Sequence, residues 1–110
     1  MKFSPISLVS LLTILLWASA ALAADEFALV IQNHQFQPAE LQIPAGKKVR
    51  LVIENRDSTP EEFESYELNR EKIIAGNSKA TVFIGPLEAG SYPFFGDFNQ
   101  KTAKGVIIAK

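Results

Sequence analysis

The stretch Ser91-Tyr-Pro-Phe-Phe-Gly-Asp-Phe-Asn-Gln-Lys-Thr-Ala-Lys-Gly-Val-Ile-Ile-Ala-Lys110 decides the fold. Two apolar runs of β type, Tyr92–Phe95 and Val106–Ala109, flank a polar loop, Gly96–Gly105. Just before them, Leu87-Glu-Ala-Gly90-Ser-Tyr92 reads as a tight turn that delivers a tyrosine into a strand. A tyrosine placed this way buries its ring and returns its hydroxyl to nearby backbone, a device of Greek-key sandwiches.

Working outward from that pair, the chain from Phe27 onward shows short strand-like runs punctuated by turn signals, the pattern of an all-β sandwich. Phe27–Gln32 is the first run; Asn33–Gln37 reads as a polar bulge ending at Pro38, which cannot donate to a ladder. Glu40–Ile43 resumes the extended pattern and Pro44-Ala-Gly46 turns it. Lys47–Asn55 is the clearest strand, with Val49, Leu51 and Ile53 on one face, while Val52 interrupts the polar face and predicts partial cover there. After a polar loop over Asn55–Glu61, the run Glu62–Leu68 places Glu62, Glu64 and Tyr66 on one face and Phe63, Ser65 and Glu67 on the other. Lys79–Ile84 is a further strand, with Ala80, Val82 and Ile84 together. Glu67–Ile74 is the sole helix candidate. No internal repeat or linker divides the chain.

The N-terminus reads as an export signal over residues 1–23. Lys2 supplies the charge, Ile6–Trp17 the apolar core and Ala21-Leu-Ala23 the small-residue cleavage pattern. About a dozen apolar residues are too few to span a bilayer, so no membrane anchor is expected after cleavage, and the protein is expected in the periplasm. Residues 24–110 then form one domain carrying all 12 acidic side chains and all but one of the 11 basic ones. That balance offers no basic field for nucleic acid. Met1 and Trp17 are the only Met and Trp, Cys is absent, and His34 is the one histidine.

The C-terminal stretch resembles the end of a cupredoxin, where a Leu-x-x-Gly-x-Tyr turn leads into a copper-binding loop. The resemblance implies a Cys at the position of Gly96, a His at Asn99 and a Met near Ala103, so the frame of a copper loop is present without its ligands. A closer resemblance, to the EfeO-type cupredoxin-like domain of periplasmic proteins linked to bacterial iron uptake, rests on Thr59-Pro-Glu-Glu-Phe-Glu-Ser65 together with Phe94-Phe-Gly-Asp-Phe98. Phe36-Gln-Pro-Ala-Glu-Leu41, Pro44-Ala-Gly-Lys-Lys-Val49 and Glu67-Leu-Asn-Arg-Glu-Lys72 add to it. A His would follow Phe98 in that group; here Asn99 stands there.

In the cupredoxin frame the acidic segment takes the place of the first copper histidine. Glu62 and Glu64 share a strand face about 7 Å apart, where two carboxylates repel unless a cation or a shared proton lies between them. With Asp97 they would suit a hard divalent or trivalent ion, iron or copper among them, through oxygen ligands. The plain alternative is a solvated acidic face that blunts an edge strand. His34 is a further candidate ligand, or an exposed loop residue. Asn99 is read as a turn residue bonding its own loop. Lys101 and Lys104 are read as partners for the acidic end. The phenylalanines at 36, 63, 83 and 94 are expected in the core, with Phe95 and Phe98 candidates for a surface pocket.

Catalysis is not expected, since the chain has no Cys nucleophile, no Ser–His pairing and no phosphate-cradling glycine loop. The reading is thus an exported cupredoxin-like metal-binding accessory of bacterial iron or copper uptake, without type 1 copper, using Glu62, Glu64, Asp97 and His34. The alternatives are a metal-free interaction module docking a permease or another periplasmic protein, or a structural sandwich of an adhesin-like assembly. A shared site requires the Glu62 and Asp97 carboxylates within about 10 Å, with His34 approaching the same end.

Overall fold

Tyr92 donates its hydroxyl to the carbonyl of Glu88 at 2.8 Å, so the turn before the final hairpin is the expected tyrosine corner. The computed structural model describes residues 24–110; the leader expected over residues 1–23 lies outside the described residues. Among the described residues, nine strands build two sheets. They are β1 Asp25–Gln32, β2 Gln35–Gln37, β3 Glu40–Ile43, β4 Val49–Asn55, β5 Glu61–Ser65, β6 Arg70–Ile74, β7 Ser78–Ile84, β8 Gly90–Gly96 and β9 Lys104–Ala109. One sheet runs β2-β1-β4-β7 and the other β3-β9-β8-β5-β6. Parallel pairing of β1 with β4 and of β3 with β9 ties the N-terminal third to strands much later in the chain.

The period-2 pattern decides what fills the space between the sheets. Val49, Leu51 and Ile53 of β4 are buried, as are Val82 and Ile84 of β7, while Val52 is half-buried as its break in the polar face required. At the centre Phe36, Phe63 and Phe94 form an aromatic trio. Phe36 meets Phe94 edge-on at 5.0 Å between centroids, and Phe63 lies 5.2 Å from Phe94. Edge-to-face pairs of this kind add about 0.5–1.5 kcal/mol to what their buried area supplies. Gly105 is obligatory beside the trio, because a Cβ there would fall onto the ring of Phe94.

Four local expectations are corrected. Asn33–Gln37 is not a bulge: Asn33 and His34 both take positive φ, 54° and 56°, and close a two-residue hairpin between β1 and β2. The run Glu62–Leu68 begins one residue earlier and ends at Ser65, so Tyr66 and Glu67 belong to a turn. The helix candidate Glu67–Ile74 is that turn followed by β6, which pairs with β5, and in which four of five side chains are exposed. Phe83 is 47% exposed rather than core, with the Lys48 Nζ 5.0 Å from its ring centroid. Strand alternation requires this outward placement, because Val82 and Ile84 on either side take the inner face.

Candidate metal centre

Strand β5 is the first positioning element. Its alternation sends Glu61, Phe63 and Ser65 inward and leaves Glu62 and Glu64 half-buried on the outer face of the five-stranded sheet. On that face Glu64 stands opposite Glu71 of β6 and Phe95 of β8, and Glu62 stands opposite Ile73. Asp97 arrives from the other direction, as the first residue of a single 3-10 turn, Asp97–Asn99, that follows β8. One carboxylate oxygen from each of Glu62, Glu64 and Asp97 lies within 4.8 Å of the others. The expected meeting of β5 with the C-terminal loop is therefore met with room to spare.

The electrostatics follow from that crowding. Partial burial, then the charges of Glu64, Glu71 and Asp97, push the Glu62 carboxyl above its usual value of 4.5. Glu64 is pushed up in the same way, by partial burial first and then by Asp97 and Glu71. The neighbourhood thus favours bound protons or a cation over three bare charges. Lys101 and Lys104, expected as partners, form no ion pair with these carboxylates among the described residues. Asp97 accepts instead from Gln100 Nε2 at 2.7 Å.

His34 is not brought into this group. It lies at the same end of the sandwich, because β1 and β4 run in parallel register with Ile31 beside Asn55. Its hairpin, however, is engaged with Asp57. The backbone N–H groups of Asn33 and His34 donate to the two carboxylate oxygens of Asp57 at 2.8 and 2.9 Å, and the His34 ring nitrogen is 3.6 Å from the same carboxylate. The hydrogen bond from His34, followed by that from Asn33, holds the Asp57 carboxyl below its usual value against the opposing effect of burial.

The residue that sequence reasoning missed is Glu61. It is 1% exposed, yet its carboxylate accepts three hydrogen bonds. Oε1 takes the N–H of Glu62 at 3.0 Å and that of Phe98 at 2.9 Å, and Oε2 takes the side-chain amide of Asn99 at 2.6 Å. Asn99, expected to bond within its own loop, turns to this carboxylate, while its backbone carbonyl accepts from Ala103 N at 2.9 Å. Gly96 N in turn donates to the Ala103 carbonyl at 2.9 Å. Strand alternation carried the signal, since Glu61 is two residues from the buried Phe63 and so had to face inward.

Copper of the blue type needs a thiolate and imidazoles around one ion. The positions assigned to those ligands do not fit it. No Cys exists in the chain, and at Gly96 a side chain has no space: a Cβ there would lie 2.6 Å from Glu61 Cδ and 2.7 Å from the Ala103 Cβ. Asn99 presents a donor, not a lone pair, towards that space. The outer carboxylates differ, being oxygen donors at a spacing a hard cation can bridge.

A family model for the cupredoxin-like domain matches residues 5–109. A protein of Rickettsia prowazekii (strain Madrid E), itself named only as uncharacterized, is 45% identical over 83 residues, which cover 76% of this chain and 66% of that protein. The chain thus spans just under two thirds of the length of that relative. Among solved structures, auracyanin A, a blue copper protein from Chloroflexus aurantiacus, superposes with a TM-score of 0.68 at 11% identity, over 80% of this chain and 100% of its own. Amicyanin from Paracoccus versutus gives 0.61 at 20% identity, over 83% and 87%. A purple cupredoxin from Nitrosopumilus maritimus gives 0.60 at 19%, over 76% and 98%. At these identities the superpositions establish the shared sandwich and nothing finer.

Proposed function

This chain belongs to the family of cupredoxin-like domains, and from that premise we propose that it is an exported, EfeO-type cation-binding accessory of bacterial iron or copper uptake. It binds rather than catalyses, it works in the periplasm, and it does not carry electrons through a thiolate–copper centre. The observation that carries this reading is the convergence of Glu62, Glu64 and Asp97, from two separate elements, on one point with their oxygens within 4.8 Å. Each carboxylate alone is a surface charge. Together, with both glutamates pushed towards their protonated forms, they gain from a cation that replaces mutual repulsion by ligation.

Calorimetric titration of Cu(II), Mn(II), Ca(II) and chelated Fe(III) into the wild-type protein and into Glu62→Gln/Glu64→Gln tests the reading. Saturable binding of one ion in the wild type, lost in the double variant, is the expected result. Equal weak binding in both rejects the site.

A second reading is favoured by a separate observation. Tyr66 is 73% exposed and its ring packs at a tilt against Phe95, 5.5 Å between centroids, while Ile73 and Phe98 are also exposed. Apolar side chains interleaved with acidic ones form a surface suited to docking a periplasmic or permease partner without metal. Retention of partner binding by Glu62→Gln/Glu64→Gln, with loss in Tyr66→Ala, would select it.

A further inference from the structure

The carboxylate of Glu61 is bracketed by the three positions that the cupredoxin frame assigns to metal ligands. Gly96 lies so close that an added Cβ would stand 2.6 Å from its Cδ and 2.9 Å from Oε1. Asn99 donates to Oε2, and Ala103, fully buried, closes the far side through its backbone bonds to Gly96 and Asn99. We propose that Glu61 fills the fold's metal position from within. Its side chain holds the 96–103 loop closed by hydrogen bonds and leaves no space there for an ion.

The chemistry is self-consistent. A buried carboxylate is tolerable when donors meet its lone pairs, and hydrogen bonds to an ionised acceptor are about twice as strong as neutral ones. Here two backbone N–H groups and one side-chain amide meet it. Two of the three come from the loop, at Phe98 and Asn99, and the third comes from Glu62 on Glu61's own strand. One side chain therefore joins β5 to the loop, where a metal would otherwise do so by ligating both. Because Oε1 bonds both Glu62 N and Phe98 N, the same residue also sets the backbone spacing from which Glu62 and Asp97 project. The inference does not depend on whether the outer group takes a cation.

The test removes the outer group and asks whether the inner position can still take metal. In Glu62→Gln/Glu64→Gln/Asp97→Asn, Cu(II) titration should show no saturable binding. Adding Glu61→His and Asn99→His to that background removes the carboxylate that ties the loop and puts two imidazoles in its place, and Cu(II) affinity should rise at least tenfold, with nitrogen hyperfine structure in the electron paramagnetic resonance spectrum. Tight Cu(II) binding by the triple variant that Glu61→Gln then abolishes would overturn the proposal by making Glu61 a ligand. Absence of Cu(II) binding in wild type and triple variant alike would support the filled position while removing the outer cation site.

Should the five-substitution variant fail to fold, Glu61→Gln in the otherwise wild-type protein decides the matter by NMR. The new amide keeps one acceptor for the two N–H groups, but Asn99 must flip to accept from it. The Asn99 side-chain amide resonances should lose the downfield shift of a charge-assisted bond and exchange at least tenfold faster. Unchanged Asn99 side-chain resonances would reject the contact, and the proposal with it.

Discussion

Gly96→Ala should cost the protein about 2–4 kcal/mol of folding stability, although its backbone has no objection to a side chain. Gly96 is extended, at φ −94° and ψ 112°, a conformation any residue adopts. The obstacle is space. The new methyl would stand 2.6 Å from Glu61 Cδ and 2.7 Å from the Ala103 Cβ, where carbon contacts normally settle at about 3.5–4.0 Å. Overpacking of this kind costs about 1–3 kcal/mol. Moving the Glu61 carboxylate also weakens at least one hydrogen bond to a charged acceptor, which contributes about 1.5–3 kcal/mol. Restricting the unfolded chain returns about 0.4–1 kcal/mol. For a domain of this size the net loss lowers the thermal midpoint by roughly 10–25 °C. Gly90→Ala is the control, since its nearest heavy atom would be Tyr92 Cε2 at 3.8 Å, and it should stay within about 0.5 kcal/mol of wild type. Urea unfolding followed by far-ultraviolet circular dichroism measures both. A Gly96→Ala protein as stable as the control would refute the packing of Glu61 against this glycine.

Three further outcomes are expected. Glu62→Gln/Glu64→Gln should be more stable than wild type near pH 7 and equal to it below about pH 4.5. Both carboxyls are raised above 4.5, so they favour the folded state when protonated, and wild type loses that contribution as pH rises through the raised values. Urea midpoints at pH 4 and pH 7 read the difference. Asp57→Asn should behave oppositely: the depressed Asp57 carboxyl stabilises the fold above its usual value of 3.8, and the gap to wild type should close as pH falls through the lower folded value. Asn55→Ala should cost about 2–4 kcal/mol by urea unfolding, because the buried Asn55 amide donates to the carbonyls of Thr59, Ile74 and Ala75 and its oxygen accepts from Asp57 N, and the substitution removes all of these bonds.

What the chain's own pattern discloses is the set of features governed by alternation and turn chemistry. The tyrosine corner, the two faces of β4 and the burial of Val82 and Ile84 all follow from period 2 together with glycine and proline punctuation. The convergence of Glu62 with Asp97 was legible because a Greek-key sandwich sends both of their loops to one end. His34 was not legible in the same way. Its role depends on Asp57, 23 residues away, catching two backbone N–H groups of a tight hairpin, and no local spacing encodes that contact. Asn99 and Glu61 escaped for the same reason, since they are joined across 38 residues. A run of three acidic residues around one phenylalanine reads as surface charge, although the inward-facing phenylalanine already commits Glu61, two positions before it, to the interior.

That split within β5 explains how one short strand serves two purposes without conflict. Glu61 and Glu62 are neighbours in sequence, but the pleat sends them to opposite faces, so one carboxylate is met by three donors while the other is crowded by the like charges of Glu64, Glu71 and Asp97. The first closes the loop permanently, and the loop's shape therefore does not wait on an ion. The second inherits a rigid platform, in which the backbone beneath Glu62 and beside Asp97 is pinned by a single oxygen. Preorganisation of this kind removes an ordering cost from binding. A cation arriving at the outer group has only to displace protons and water from carboxylates already gathered, and Glu61→Ala, which removes the pinning oxygen, should weaken cation binding chiefly by faster release. Stopped-flow measurement of release from wild type and Glu61→Ala reads this directly. An unchanged release rate in Glu61→Ala would show that the outer carboxylates hold their positions without the inner one.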